Sequence, residues 1–352
     1  MYQIPTLPFS KIILTEKIWK KIISANKKLA ELKGIALTLP NQEILINTLT
    51  LQESKDSSEI ESIVTTHDEL FQYDKNHKEF SSANKEVHRY NSALFYGFEQ
   101  LKTKPLSNNL LIEIAKIITQ RDSGFRNIQG TTLKNGQGDI IYIPPQNLIE
   151  ITKHMNNLEQ FINKPEICDF DPLVKMAIIH HQFESIHPFF DGNGRTGRIL
   201  NILYLISTDI LDIPILYLSR YITKNKSEYY KLLQKVRDED FWEEWILFML
   251  DGVEKTADQT ARTIEQIRIL MSEYKNILRE KESKIYSHEL INTIFSHPYT
   301  KIEFIVNATG VNRQTASRYL QKLTKLNLLT SYKHGRTNYY INTKLLNIFT
   351  SL

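Results

Sequence analysis

Apolar residues recur at helical spacing over most of the chain. Between residues 11 and 37, Leu29, Leu32 and Ala36 lie three and four apart, which predicts an amphipathic helix; Gly34 and Leu39-Pro40-Asn41 weaken its far end. Asp56 and Glu59 have capping-box spacing, so a helix is expected to begin there and run to about residue 66, with Ile60, Ile63 and Val64 as its buried stripe. Asp171-Pro172 reads as an N-cap followed by proline at the first helical position. Leu173 to Ile186 is apolar on most faces, hence a buried helix, and Pro188 argues for a break. From Arg195 a second buried helix follows. Residues 253–282, with Ile264, Ile267, Leu270 and Met271 spaced among charges, predict a long amphipathic linker helix. Strand signals are few. Asn135-Gly136 with the β-branched residues after it predicts a hairpin. The expected class is therefore mainly α with small β elements.

The last 68 residues have their own character. Ile302 to Ala308 reads as a short helix, Thr309-Gly310 as a turn, and Asn312 to Leu326 as a longer helix. Ala316, Leu320 and Leu323 give the longer helix a buried stripe, while Arg318, Lys322 and Lys325 form a basic one. Leu329 to Tyr332 and Asn338 to Ile341, joined through His334-Gly335-Arg336, read as two paired strands. This order resembles a winged helix-turn-helix, with the helix from Arg313 as the reader and Arg336 on the wing. From Ile285 onward there are eight Lys or Arg against two acids, although the whole chain carries only +4, so the basic excess is local. Such a module binds duplex DNA, or it docks protein or forms a homodimer; the sequence leaves these open.

With 352 residues, 41% of them apolar, the chain is large enough for two or three domains. The divisions expected are an N-terminal helical region (1–89) with its helix near 56–66, a central domain (90–250), a linker helix (251–284) and the C-terminal module (285–352). No charged start followed by an apolar run marks the N-terminus as secretory. Leu200 to Leu218 is interrupted by Asp209, Asp212 and Pro214, so it reads as core and not as a membrane span. Cys168 is the only cysteine, which rules out an internal disulfide. A reducing, cytoplasmic location without membrane partners fits.

The chemistry concentrates in His187-Pro188-Phe189-Phe190-Asp191-Gly192-Asn193-Gly194-Arg195-Thr196-Gly197-Arg198. Gly192 and Gly194 permit a tight turn ahead of a helix N-terminus, where backbone N–H groups favour an anion. Arg195 and Arg198, three apart, share a helical face and suit phosphate oxygens. Asp191 is a hard oxygen ligand suited to Mg²⁺ held jointly with phosphates. His187 at the loop entrance has the chemistry of a general base toward a hydroxyl. Together these residues point to a polyphosphate substrate.

The segment resembles the signature of the Fic family, His-x-Phe-x-(Asp/Glu)-Gly-Asn-Gly-Arg-x-x-Arg, and matches it at every defined position. The resemblance covers about residues 90–250 and implies an all-helical core. It implies transfer of AMP from ATP to a Ser, Thr or Tyr hydroxyl of a target protein, self-modification included, with release of pyrophosphate. His187 would deprotonate the acceptor and Asp191 would hold Mg²⁺. Gly192, Asn193, Gly194, Thr196 and Gly197 would belong to the anion loop, and Arg195 and Arg198 would hold the outer phosphates. The hairpin, through Ile141 and Tyr142, resembles the family's flap, which positions a target segment by strand addition. Asp56-Ser57-Ser58-Glu59-Ile60-Glu61-Ser62 resembles the family's inhibitory motif, with Ser62 in place of Gly or Asn. By that likeness Glu61 would pair with Arg198 and fill the γ-phosphate position. Tyr229 and Tyr230 resemble a segment that borders the adenine, while Arg237 stands where some relatives carry Asn. Other readings stay open: a DNA-binding regulator that senses nucleotide, removal of AMP with Glu61 orienting a water, or transfer of another phosphate-containing group.

Overall fold

Helices form where the sequence supplies a cap and a buried stripe. The computed structural model describes residues 2–9, 12, 14–72, 81–122, 124–134, 136–334 and 337–350. Thr15 caps helix α1 (Glu16–Ala36), whose stripe of Ile18, Ile22, Ala25, Leu29, Leu32 and Ala36 is buried. Next comes α2 (Glu43–Ile60), followed by α3 (His67–Gln72) and α4 (Ser82–Leu101), the last capped by Ser81. Helix α5 (Asn108–Thr119) leads into the antiparallel pair β1 (Leu133–Lys134) and β2 (Ile140–Tyr142). Helices α6 (Leu148–Asn163), α7 (Pro172–Ile186), α8 (Asn193–Ser207), α9 (Leu218–Lys224) and α10 (Lys226–Glu239) complete the central part. Asn135, at the expected hairpin turn, lies outside the described residues.

Helix α7 is buried along its whole length from Leu173 to Ile186, as its lack of a polar face requires, with Asp171 accepting from Leu173 N to cap it. It packs against α6 and α8. Helices α4 and α8 meet at Gly97, where a Cβ would lie 2.6 Å from Leu203 Cδ1. The Trp245 indole donates to the Ala177 carbonyl of α7 (2.8 Å) and stacks on His180.

Helix α11 (Trp242–Lys281) begins earlier than the pattern predicts, because Trp242, Trp245, Ile246 and Met249 continue its buried stripe toward the core. Its 40 residues span about 60 Å at 1.5 Å each. Helix α1 runs parallel to it: Lys17 pairs with Glu243, Lys21 with Asp251 and Glu254, and Lys28 with Asp258. The far end of α11 carries α12 (His288–Ser296), β3 (Tyr299–Thr300), α13 (Ile302–Thr309), α14 (Arg313–Lys325), β4 (Thr330–His334), β5 (Thr337–Ile341) and α15 (Thr343–Thr350). The sheet has the order β3-β5-β4, all antiparallel. Buried Asn342 ties it down, accepting from Tyr274 Oη (3.0 Å) on α11. Strand β3 and helix α15 were not evident in the pattern, and Gly335 and Arg336 lie outside the described residues. Phe71 of α3 stacks on Tyr299, and α2 packs on α12, so this unit touches the N-terminal helices as well as α11.

The helix expected over residues 56–66 is displaced. Helix α2 starts at Glu43 and ends at Ile60. Asp56 caps nothing; it is buried inside the helix, near Lys55 and Arg220. Ile60 is buried, but Ile63 is only half-buried and Val64 is exposed. The capping pattern misled because α2 is surrounded by protein and buries polar groups against partners. Glu53 accepts from Tyr90 Oη (2.9 Å), Ser219 N (3.1 Å) and Ser219 Oγ, and Thr223 Oγ1 donates to the Asp56 carbonyl (3.0 Å). Among the described residues, no helix is long and apolar enough to cross a membrane.

The α4–α8 contact yields a test of packing. Replacing Gly97 with Val should destabilise the fold by about 1–3 kcal/mol through overpacking against Leu203 and Ile114. Denaturant unfolding measures this, and an unchanged midpoint would contradict the close contact.

Candidate active site

Helix α7 ends at His187, whose left-handed backbone (φ 50°, ψ 58°) turns the chain out while its N–H donates to Phe183 O (2.9 Å). Arg126, fully buried, fastens the turn. Its Nε donates to His187 O (2.8 Å), one terminal nitrogen donates to Pro145 O, and its backbone N–H donates to Pro188 O (2.8 Å). That residue thus joins the loop to the chain that follows β2. Asn193 closes the loop from the other side, accepting from Phe189 N and donating to Phe189 O, both at 2.8 Å. Gly192, at φ 78°, occupies the N-cap of α8, and Thr196 N donates to Gly192 O (2.9 Å). The N–H groups of Asn193, Gly194 and Arg195 in the first turn have no acceptor within the helix, which makes this end an anion site.

A cavity of about 370 Å³ opens here, lined by Glu61, Ile63, Glu86, His187, Phe190, Asp191 and residues 192–195. Arg198 lies beneath it and is 3% exposed. Its Nε donates to Ser57 Oγ (2.8 Å), and NH2 donates to Ser57 O (3.0 Å) and Glu61 Oε1 (2.9 Å). Burial pushes the Glu61 carboxyl up, but Arg198, with Arg195 and Lys226, outweighs it and holds Glu61 below the ordinary range. The carboxylate rests on Gly194: a Cβ there would collide with Glu61 Oε1. An internal anion therefore sits at the N-terminus of α8.

His187 lines the cavity. Burial, with Arg126 and Arg237 nearby, lowers its pKa from 6.5 to about 4, so the imidazole is neutral at physiological pH. Asp191 is half-exposed at the mouth, with Oδ1 accepting from Gly192 N (2.6 Å) and lying 3.5 Å from Arg195 NH2. Arg195 is buried, and its NH1 donates to Glu86 Oε2 (3.0 Å) on α4. No sequence pattern marked Glu86, because its partner lies 109 residues away.

Several expected site residues take other roles. Thr196 and Gly197 do not line the cavity. Gly197 allows α8 to approach α7, since a Cβ would lie 2.8 Å from Glu184 Oε1 and 3.0 Å from Phe183. Asn193 touches the cavity but spends its side chain on loop closure. Tyr229 is buried and shares a 2.8 Å hydrogen bond with His180, so its ring is not free to stack on a base; Tyr230, 41% exposed, packs edge-on against it and remains accessible. Tyr142 is buried too. Its hydroxyl donates to Ser185 O (2.9 Å) and its ring lies under Arg237, so it anchors the hairpin, while Ile140 and Ile141 are exposed. Arg237 also donates to Ser185 Oγ (3.1 Å).

Ser62 has φ 64°, a left-handed conformation that glycine and asparagine adopt most readily. Glycine or asparagine would hold this turn more easily, so serine is a strained choice here.

The Fic/DOC family model matches residues 105–205, the Fic/DOC N-terminal model residues 19–99, and a model named for the C-terminal domain of SoFic-like protein adenylyltransferases residues 270–345. The chain belongs to the Fic/DOC family. Among curated Fic relatives, a protein adenylyltransferase Fic from Drosophila mojavensis is 29% identical over 142 residues, 39% of this chain and 27% of that protein. One from Aedes aegypti is 32% identical over 104 residues, 30% of this chain and 19% of its own length. The chain thus spans roughly a fifth to a quarter of these relatives. A Fic family protein from Desulfovibrio desulfuricans shares the fold at TM-score 0.55 and 18% identity, covering 97% of this chain and 98% of its own. Fic-1 from C. elegans aligns at TM-score 0.54 and 16% identity, over 69% of this chain and 70% of its own.

Two outcomes are expected of this Fic site. The ring protons of His187, assigned by comparison with His187→Ala, should titrate by NMR near pH 4, with protonation only as pH falls through that value; a midpoint near 6.5 would contradict the burial argument. Replacing Ser62 with Gly should raise unfolding stability by up to about 1 kcal/mol by relieving the left-handed backbone; a loss would show that the serine side chain is needed.

Proposed function

We propose that this protein is a protein adenylyltransferase held off by its own α2. The observation that carries the reading is the Glu61–Arg198 pair, lying on Gly194 at the N-terminus of α8 beside a neutral His187. Where Glu61 now lies, a terminal phosphate would find the same guanidinium and the same helix end.

In the reaction, the acceptor hydroxyl of a target protein loses its proton to His187 Nε2 as its oxygen attacks the α-phosphorus of ATP. The new P–O bond forms, the bond to the bridging oxygen breaks, and that oxygen leaves with its electron pair as part of pyrophosphate. Neutral imidazole is the form this step requires. The N–H groups of α8 and Arg195 stabilise charge on the phosphates. Asp191 fits magnesium: its half-exposed carboxylate, a hard oxygen ligand, lies at the cavity mouth. One such carboxylate suffices for Mg²⁺, which would take its other ligands from phosphates and water and would neutralise charge on the diphosphate. Among the described residues β2 pairs with β1 alone, and exposed Ile140 and Ile141 lie on it, so its outer edge can receive an extended target segment. Tyr230 is the residue left to border the base. A cytoplasmic site of action, where ATP is available, fits this chemistry.

The C-terminal unit has the element order of a winged helix, with α14 as the reading helix. Exposed Arg318, Lys325 and Lys333 offer a surface to a DNA backbone, but Arg313, Lys322 and Lys344 are already paired with Glu303, Glu282 and Glu273. Duplex binding is therefore expected to be weak and to fall steeply with salt. No gel shift at low salt would assign the unit to protein docking.

The central test is incubation with α-labelled ATP and Mg²⁺. Glu61→Gly should label itself or a target at least about tenfold more than the parent, and adding His187→Ala should abolish the label. Equal labelling of parent and Glu61→Gly would remove Glu61 as the latch. Label that survives His187→Ala would remove His187 as the base.

A further inference from the structure

Glu61 is not the only carboxylate that occupies a phosphate-facing arginine. Arg195 is 4% exposed, and its NH1 is held by Glu86 Oε2 at 3.0 Å. Glu86 comes from α4, lines the same cavity as Glu61, and retains 29% side-chain exposure. On its other terminal nitrogen Arg195 has only the longer 3.5 Å approach of Asp191, and its Nε is buried without a partner. Both guanidiniums of the loop therefore hold an internal carboxylate from a different helix: Arg198 from the end of α2, Arg195 from the start of α4. Three carboxylates (Glu61, Glu86, Asp191) thus lie at the cavity, two of them on the guanidiniums that would meet an incoming anion. A triphosphate that engages Arg195 must share that guanidinium with Glu86 or displace it, and either way it meets the Glu86 charge at close range.

We propose that Glu86 is a second gate: it occupies Arg195 and, independently of Glu61, sets how tightly the site takes a nucleoside triphosphate. This rests on the reading of the cavity as a nucleotide site. The effect must depend on phosphate number, since Arg195 faces the outer phosphates and not the nucleoside. Glu86 is a regulating residue and makes no bond to the reacting atoms.

Glu86→Gln separates gating from mere support, because the amide oxygen still accepts from Arg195 NH1 while the charge is gone. The test is calorimetry on the full chain with Mg²⁺, using ATP, pyrophosphate and AMP as probes, on the parent, Glu61→Gly, and Glu61→Gly combined with Glu86→Gln or Glu86→Asp. In the Glu61→Gly background, Glu86→Gln should tighten ATP and pyrophosphate binding at least about fivefold and leave AMP unchanged. Glu86→Asp, which keeps the charge, should not tighten ATP. ATP binding that is unchanged or weaker with Glu86→Gln, or tightening of AMP by the same factor, overturns the gate. A Glu86→Gln chain that does not fold overturns it as well, since the carboxylate would then be supporting Arg195 for stability. If Glu61→Gly itself binds neither ATP nor pyrophosphate, the nucleotide reading fails first, and the gate falls with it.

Discussion

A buried guanidinium governs this site. Arg198 cannot shed its proton, and a charge taken from water without a partner costs several kcal/mol. Ser57 and Glu61, one helical turn apart at the end of α2, meet that demand. The consequence runs backward through α2. To bring its last turn over α8, the helix must lie within the protein, so it buries Thr48, Gln52, Glu53, Ser54, Asp56, Ser57 and Ser58. Neighbouring elements answer Glu53, the Asp56 carbonyl and the helix end: Tyr90 from α4, Ser219 and Thr223 from α9, and Lys226, which donates to the Ile60 carbonyl. The Glu61–Arg198 pair and the packing of the N-terminal helices are thus one arrangement.

The loop from His187 to Arg198 divides its labour. Asn193 fixes the shape of the loop, Arg126 clamps it from outside, and Gly197 admits α7. His187, Asp191, Arg195 and the first N–H groups of α8 are left to face the cavity. The three glycines serve different needs. Gly192 has a left-handed backbone, Gly194 leaves room for Glu61, and Gly197 leaves room for Glu184 and Phe183. A short signature can specify such a loop because most of its bonds are local.

The C-terminal unit is joined to the central part by more than the long helix. Phe71, ten residues beyond Glu61, stacks on Tyr299, and α12 packs on α2. The basic excess counted along this segment shrinks in three dimensions, because acids from α11, α13 and the turn after α11 pair with Lys344, Arg313 and Lys322. Charge counts along a chain do not include partners brought in by folding.

Taken alone, the sequence determined the features whose partners are near in the chain. The caps at Asp171 and Asn312, the buried run of α7, the break after His187, and the loop that turns into α8 depend on contacts a few residues apart. Ser57 and Glu61, four apart in the chain, share a helix face for the same reason. The tertiary structure alone decided where α2 begins and ends, since its polar residues are buried against distant helices and carry no apolar period. It alone paired Glu86 with Arg195 and turned Tyr142 and Tyr229 inward. In each case the deciding partner is set by packing between helices and by the need to satisfy buried charge, which no local spacing records.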